Sequence, residues 1–551
     1  MPDSKDPMVP DGEVNPYDTD YQVGQDNIVV SVGPFGLDIH NRVFVISGLA
    51  IVIFVVLTLA FHSQMEPIFS SVLKWLTTNL SWFFLSVGNI FVILCLALVF
   101  SPLGKVRLGG TLARPDYNYL AWFSMLFAAG MGIGLMFYGV SEPLSHFSSS
   151  LGGVSIENGV RSDTAPLAAA AGDPETARHL AMATTIFHWA LHPWAIYAML
   201  ALGLALFSFN KGLPLTMRSV FYPLLGDAVW GWPGHIIDIL AVLATLFGLA
   251  TSLGLGASQA ASGLNYLFGI PMGEPTQIIL VIGITAITLL SVVAGLEKGV
   301  RRLSEINMML AALLLLFIVI VGPTLALLTG FFSNLASYLQ YLPALSNPFG
   351  RDDSNFVASW TAFYWAWWIS WSPFVGMFIA RVSRGRTVRE FIISVLIVPS
   401  LACVMWMTIL GNTAIHQFFD LGYKAVADAE LPLQLFTMLD TLPLAQITSL
   451  IGILLVVVFF VTSSDSGSLV IDIISAGGKV NAPTPQRVFW CSFQGVVAIA
   501  LLLGGGLVAL QTMVLTTGLP FAIVLLIAAV SVLKGLATEP RLRTNAGAER
   551  G

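Results

Sequence analysis

Apolar residues along this chain fall in long, nearly unbroken runs separated by short polar punctuation, not in the one-sided stripe of a soluble amphipathic helix. Windows of about 20 apolar residues, the length that crosses a bilayer as a helix, predict twelve spans at roughly 43–62, 80–101, 118–140, 179–208, 235–264, 276–296, 304–329, 357–380, 390–415, 445–472, 487–507 and 511–533. The segments near 218–234 and 331–346 mix Tyr, Trp and Leu with polar residues, which predicts helices lying at the interface and not further spans. Ahead of the first span, residues 1–42 carry eight Asp and Glu against Lys5 and Arg42. This predicts a disordered, solvated acidic tail that the fold does not need.

The positive charges test that count. With a cytoplasmic N-terminus, 20 of the 25 Lys and Arg fall in cytoplasmic segments, and only Lys74, Arg161, Arg178, Arg351 and Lys424 fall outside. Dropping or adding a span would reverse the bias downstream of the error, so the expected topology is twelve helices with both termini inside. A composition of 56% hydrophobic and 10% charged residues, with mean hydropathy +0.82, excludes a soluble domain. The net charge of −6 says little about partners, and no nucleic-acid partner is expected. No signal-peptide pattern precedes the first span. Cys95, Cys403 and Cys491 all sit in apolar runs, so neither a disulfide framework nor thiol chemistry is indicated.

Two spans carry helix breakers. Span 3 reads Ala128-Ala129-Gly130-Met131-Gly132-Ile133-Gly134, and its three glycines weaken the helix and let backbone or ligand approach closely. Span 8 carries Trp365, Trp367, Trp368 and Trp371 followed by Ser372-Pro373, where the missing proline amide predicts a second break. The two lie five helices apart, so spans 3–7 and 8–12 are read as two five-helix repeats, each beginning with a broken helix, as in transporters with midplane sites. An incidental small-residue packing face is the competing explanation for span 3.

At about 100° per residue, Trp365, Trp368 and Trp371 share one face of span 8. In span 4, Trp189, Trp194 and Tyr197 line another. Together with Trp368 they suffice for an aromatic box. Such a box holds a quaternary ammonium by cation–π attraction of about 2 kcal/mol or more once water is excluded, and asks no hydrogen bond of it. His188 and His192 are either proton carriers or histidines bonded to a backbone carbonyl. Span 10 places Thr462, Ser463, Ser464, Asp465, Ser466 and Ser468 inside hydrocarbon, which is costly unless they face a cavity or a hard cation such as Na⁺. Asp465 either neutralises charge near the site or caps backbone loosened at Gly467.

Several long segments, Ala128 to Gly139, His188-Trp189 through Tyr197, Ser359 to Trp368 and Ala380 to Phe391, closely resemble the betaine/choline/carnitine transporter family over residues about 40–535. The resemblance implies an all-α integral membrane protein with a leucine-transporter-type five-plus-five inverted repeat (spans 3–7 and 8–12) and two extra N-terminal helices. It further implies a homotrimer in the bilayer of a bacterial inner membrane. The expected divisions are the tail 1–42, two N-terminal helices in 43–110, the first repeat 111–330, an extracellular interfacial helix 331–356, the second repeat 357–533 and a short cytoplasmic tail 534–551.

By that resemblance Trp189, Trp194, Tyr197 and Trp368 match the substrate box, with Trp371 and Phe374 on the access path and Gly130, Gly132 and Gly134 beside the substrate. Ala128, Met131, Phe459, Thr462 and Ser463 match one sodium site. Thr245 is the first of two threonines of a second sodium site, whose partner is replaced by Leu249. No Arg or Lys occurs in spans 5 and 8, so the fixed cation of the family's ion-independent exchangers is missing and sodium coupling is expected. The family's choline carriers tend to place an Asp where this chain has Gly134, so a zwitterion such as glycine betaine is expected; ectoine, proline and dimethylsulfoniopropionate stay open, as does proton-coupled choline or carnitine transport. No cofactor beyond the coupling ion is expected. The C-terminal tail is short, which predicts weak osmotic regulation through it. An intramembrane enzyme would need a paired nucleophile, for which Ser464/Asp465 is the one candidate, and no HExxH or GxSxG pattern supports it.

Overall fold

The computed structural model describes residues 9–32, 35–130, 132–295 and 297–541, with the side chains of residues 32, 35 and 297–301 left undescribed. Among these residues nine helices are long and apolar enough to cross a membrane, and a bent pair, Tyr119–Gly130 and Ile133–Gly152, makes a tenth candidate. In chain order the helices used below are α1 (Val43–Ala60), α2 (His62–Phe100), α3 (Tyr119–Gly130), α4 (Ile133–Gly152), α5 (Pro174–Trp189), α6 (Leu191–Ala205), α7 (Trp232–Phe268), α8 (Glu274–Ala294), α9 (Glu297–Val321), α10 (Thr324–Ser346), α11 (Ala362–Val382), α12 (Val388–Ile415), α13 (Ala445–Ser475) and α14 (Thr484–Ala537).

Burial sorts the helices into inner and outer ones. The most apolar window of Pro174–Asn210 is 94% buried, whereas those of α8 and α1 are only 22% and 33% buried. Leu290, Ile279 and Ile320 on α8 and α9 are each about two-thirds exposed, the arrangement expected of faces turned to lipid. The centre is built from α4, α5, α6, α11 and α12, whose apolar residues are buried nearly all round.

The break expected in span 8 is absent. α11 runs without interruption through Pro373. The proline removes the amide that would bond the carbonyl of Ile369, and the hydroxyl of Ser372 donates to that carbonyl instead at 2.7 Å, so the residue before the proline repairs the break. A π-helical turn, Val357–Thr361, precedes α11. Spans 11 and 12 follow one another within Thr484–Ala537, α14, and are separated by a kink at Gly505 (φ 155°) and Gly506 (φ 57°), left-handed values that favour glycine. The segment 331–346, expected to be helical and not a further span, lies in α10, which begins after Gly322-Pro323 and is not among the candidate spans.

The tail expected to be disordered is folded over its described part. Asn27–Val32 and Phe35–His40 pair as an antiparallel hairpin, β1 and β2. Asp38 bonds Lys479 at 2.5 Å, Asn27 donates to the carbonyl of Ala476 at 2.9 Å, and Lys211 donates to the carbonyl of Asn15 at 2.8 Å. The partners lie hundreds of residues away in sequence, which is why local composition read the segment as free. Among the described residues Cys95, Cys403 and Cys491 are buried free thiols.

The loop after α11 anchors the start of the broken span. Arg386 lies over the rings of Tyr119 and Trp122 at 4.3 and 4.4 Å and donates to the carbonyl of Tyr117 at 2.7 Å. Thr387 and Glu390 close a reciprocal capping box on α12.

Candidate functional site

The glycine segment does what its composition predicts. α3 ends at Gly130 and α4 begins at Ile133, with Gly132 extended between them; Met131 lies outside the described residues. The glycines are needed for close packing. A Cβ on Gly134 would stand 2.7 Å from Cη2 of Trp189 and 3.0 Å from Cη2 of Trp367, and one on Gly130 would stand 3.0 Å from Cζ2 of Trp194.

Span 4 carries a break that the sequence analysis passed over. Pro193 lacks the amide that would bond the carbonyl of Trp189, and the chain leaves helical geometry at Ala190 (φ −104°, ψ −119°). Indole N–H groups satisfy the freed carbonyls: Trp194 donates to Trp189 O at 3.3 Å and Trp368 donates to His188 O at 2.9 Å. The signal was present in His192-Pro193.

The two breaks and α11 border a cavity lined by Gly130, Gly132, Gly134, Trp189, Trp194, Tyr197, Ser252, Trp367, Trp368, Trp371 and Cys403, among others. The centroids of Trp189 and Trp368 lie 5.0 Å apart at 73°, and those of Trp194 and Tyr197 5.3 Å apart at 76°. The four predicted box residues are thus brought together. Trp365 is not with them. It packs on Phe187 and His192, at 4.9 and 5.3 Å, and its place is taken by Trp367, stacked on Trp368 at 5.2 Å and 12°. Trp368 and Trp371 of the predicted face do line the cavity, and Trp365 does not; aromatic residues on both faces of α11 are buried, so periodicity alone does not separate them.

Four of these indoles spend their N–H on the protein: Trp189 on Glu142 at 2.7 Å, Trp194 and Trp368 on the carbonyls above, and Trp367 on the hydroxyl of Ser252 at 3.2 Å. The N–H of Trp371 is buried with no partner among the described residues. With their donors directed elsewhere, the rings offer π surface to the cavity, which suits a cation that forms no hydrogen bonds.

A second cavity lies alongside, lined by Ala128, Phe459, Thr462, Ser463, Ser466, Ser304, Trp371 and Phe374, among others. It brings together all the described residues matched to the first sodium site. Its hydroxyl oxygens and the backbone around Ala128 are donors of the kind a hard cation takes. Phe374 belongs to this cavity and not to the aromatic one. Thr245 reaches neither; its buried hydroxyl donates to Ala241 O at 2.7 Å. Asp465 bonds Arg487 at 3.0 Å. His188 meets side chains and not a backbone carbonyl, namely Glu142 at 2.6 Å and Thr361 at 3.0 Å.

The profile of the betaine/carnitine/choline family of transporters matches residues 42–541. A glycine betaine/proline/choline transporter of Vibrio parahaemolyticus is 70% identical, covering 98% of this chain and 97% of that one. Glycine betaine transporter 1 of the same organism is 53% identical over 95% and 97% of the two chains. The glycine betaine transporter OpuD of Bacillus subtilis is 43% identical over 87% and 91%. A solved manganese transporter of Eremococcus coleocola aligns with TM-score 0.40 and 14% identity, covering 79% of this chain and 88% of its own. With its family profile spanning nearly the whole sequence, the chain belongs to the betaine/carnitine/choline family of membrane transporters and is not an enzyme.

Proposed function

We propose that this transporter imports glycine betaine, or a related methylated ammonium zwitterion, together with sodium. The observation that carries the reading is the cavity in which Trp189, Trp194, Tyr197 and Trp368 meet beside an interrupted helix. The trimethylammonium group would sit against the indole faces. The carboxylate would take the unpartnered N–H of Trp371 and amides freed near Gly132, as anions do at half-helix ends. Gly134 supports a zwitterion over a choline-only carrier, because the family's choline carriers tend to place an aspartate at this position and this chain has no charge there.

Sodium would be held by Ala128, Phe459, Thr462 and Ser463, with Met131 as a further ligand by family resemblance. Thr245 supports no second ion, since it lines neither cavity. One Na⁺ entering down a tenfold gradient yields about 1.4 kcal/mol, and crossing 100 mV adds about 2.3 kcal/mol. The sum, about 3.7 kcal/mol, sustains roughly a 500-fold solute gradient, enough to accumulate an osmolyte from millimolar levels outside.

The proposed topology has twelve spans: the ten apolar candidates, α11, and the second half of α14 beyond Gly505-Gly506. They are read as two inverted repeats of five after two N-terminal helices, in a homotrimer with both termini cytoplasmic in a bacterial inner membrane. The deciding experiment is uptake of radiolabelled glycine betaine, choline, carnitine and ectoine into proteoliposomes with and without a sodium gradient. Uptake driven equally well by a pH jump in sodium-free buffer would overturn sodium coupling in favour of protons.

A further inference from the structure

Behind the aromatic cavity stands a carboxylate that no motif marks. Glu142 on α4 is fully buried. Its Oε2 accepts from Trp189 Nε1 at 2.7 Å and from the Tyr364 hydroxyl at 2.6 Å. Its Oε1 meets His188 Nδ1 at 2.6 Å and His146 Nε2 at 3.3 Å. Four donors fill the capacity of one carboxylate, and a buried charge survives in a membrane only with partners of this kind.

The ligating atoms of Glu142, His146 and His188 lie within 4.8 Å of one another. With both oxygens already taken by donors, the cluster is a hydrogen-bond network and not a ready metal site. His188 is satisfied as the Nδ1–H tautomer, its Nε2 accepting from Thr361 at 3.0 Å. Nδ1 of His146 is buried without a partner among the described residues, so the neutral Nε2–H form fits there, since a proton on Nδ1 would be stranded. Both rings therefore serve Glu142 as neutral donors, and the negative charge stays on its carboxylate.

This charge connects to the cavity through two rings. Trp189 lines it directly, and Tyr364 stacks on Trp368 at 6.0 Å and 20°. We propose that Glu142 is a positioning residue that sets the cavity's selectivity for positively charged nitrogen. It locks the orientation of Trp189 and Tyr364, and it places a negative charge behind the indole whose face meets the substrate. An indole N–H bonded to an anion makes a charge-assisted bond that holds the ring firmly. In a dry site the carboxylate's own field favours a net cation over a zwitterion. The inference rests on the aromatic cavity being the ammonium site.

The test uses E142Q and E142D in the full-length protein in cells, with membrane abundance and melting temperature recorded. The readouts are the half-saturation and maximal rate of glycine betaine uptake and the inhibition constant of choline. Glutamine keeps one acceptor oxygen and no charge. E142Q is expected to raise half-saturation for betaine about tenfold, with maximal rate per transporter within about threefold, and to weaken choline about tenfold more than betaine. E142D should keep the choline-to-betaine ratio near that of the unmutated protein. Packing damage would move both solutes alike, so equal shifts, or none, overturn the proposal, as does choline that fails to compete in the unmutated protein. Should E142Q not accumulate, Y364F decides: it deletes one donor and leaves the charge, and is expected to raise both constants equally by about threefold at an unchanged melting temperature; unchanged constants, a changed choline-to-betaine ratio or a lowered melting temperature overturn the link. W368A is the separate control. Unaltered uptake in W368A refutes the cavity reading itself, whereas lost uptake there with unshifted E142Q selectivity refutes Glu142 alone.

Discussion

Trp371 on α11 and Ala129 on α3 each line both cavities, standing as a shared wall between the aromatic space and the hydroxyl-lined one. Because one indole borders both, its removal should affect both ligands. Trp371→Ala is expected to raise half-saturation for glycine betaine and for sodium together, each by about tenfold. Uptake kinetics at varied sodium check this; a change confined to one ligand would mean the wall does not couple them.

The aromatic cavity predicts a graded series. Trp368→Ala and Trp189→Ala each remove a face worth about 2 kcal/mol to a desolvated ammonium, so half-saturation should rise about 30-fold while the protein still reaches the membrane. Trp365→Phe, on the opposite side of α11, should change it by less than about threefold. Similar losses from all three would place the substrate elsewhere.

Gly134 has no space for a methyl group, its Cβ falling 2.7 Å from Trp189. Overpacking a rigid ring typically costs about 1–3 kcal/mol. Gly134→Ala should therefore lower betaine affinity by about tenfold or more, and Gly132→Ala, which meets nothing within 4 Å, should be milder. Equal effects in direct binding measurements would argue that backbone freedom, not ring contact, explains these glycines.

Thr462 and Ser463 share a cavity with Ala128, whereas Thr245 lines neither cavity. Thr462→Ala and Ser463→Ala should each raise the sodium concentration for half-maximal uptake about tenfold. Thr245→Val should leave it unchanged. A sodium shift in the Thr245 variant would restore the second ion.

His40, at the end of β2, is pushed down to about 3 from 6.5 by burial and then by the Arg218 guanidinium. Its Nδ1 accepts from the amides of Arg42 and Val43 at the start of α1, at 3.2 and 3.3 Å. His235 and Arg42 also face it and add to the same shift. Undocked chain binds the proton more readily than docked chain. The hairpin should therefore hold its full stability above pH about 6.5 and lose it progressively as pH falls toward 3. Hydrogen exchange of residues 27–40 should accelerate between about pH 7 and pH 5 beyond the intrinsic rate change, and His40→Gln should flatten that dependence.

Much of this protein was legible without coordinates. Apolar run length dictates where helices cross, because hydrocarbon admits no unpaired backbone. The three glycines of span 3 announce the break, and the hydroxyls of span 10 announce a polar cavity, because neither is tolerated in lipid without a reason. What the tertiary structure alone decided were partnerships between distant residues. Ser372 mended the helix at Pro373, Trp367 and not Trp365 turned to the cavity, Lys479 and Lys211 folded the acidic tail, and Trp189 found Glu142. Periodicity says which residues share a face but not which face a neighbour will cover, and a buried charge has no sequence signature of the donors that make it bearable.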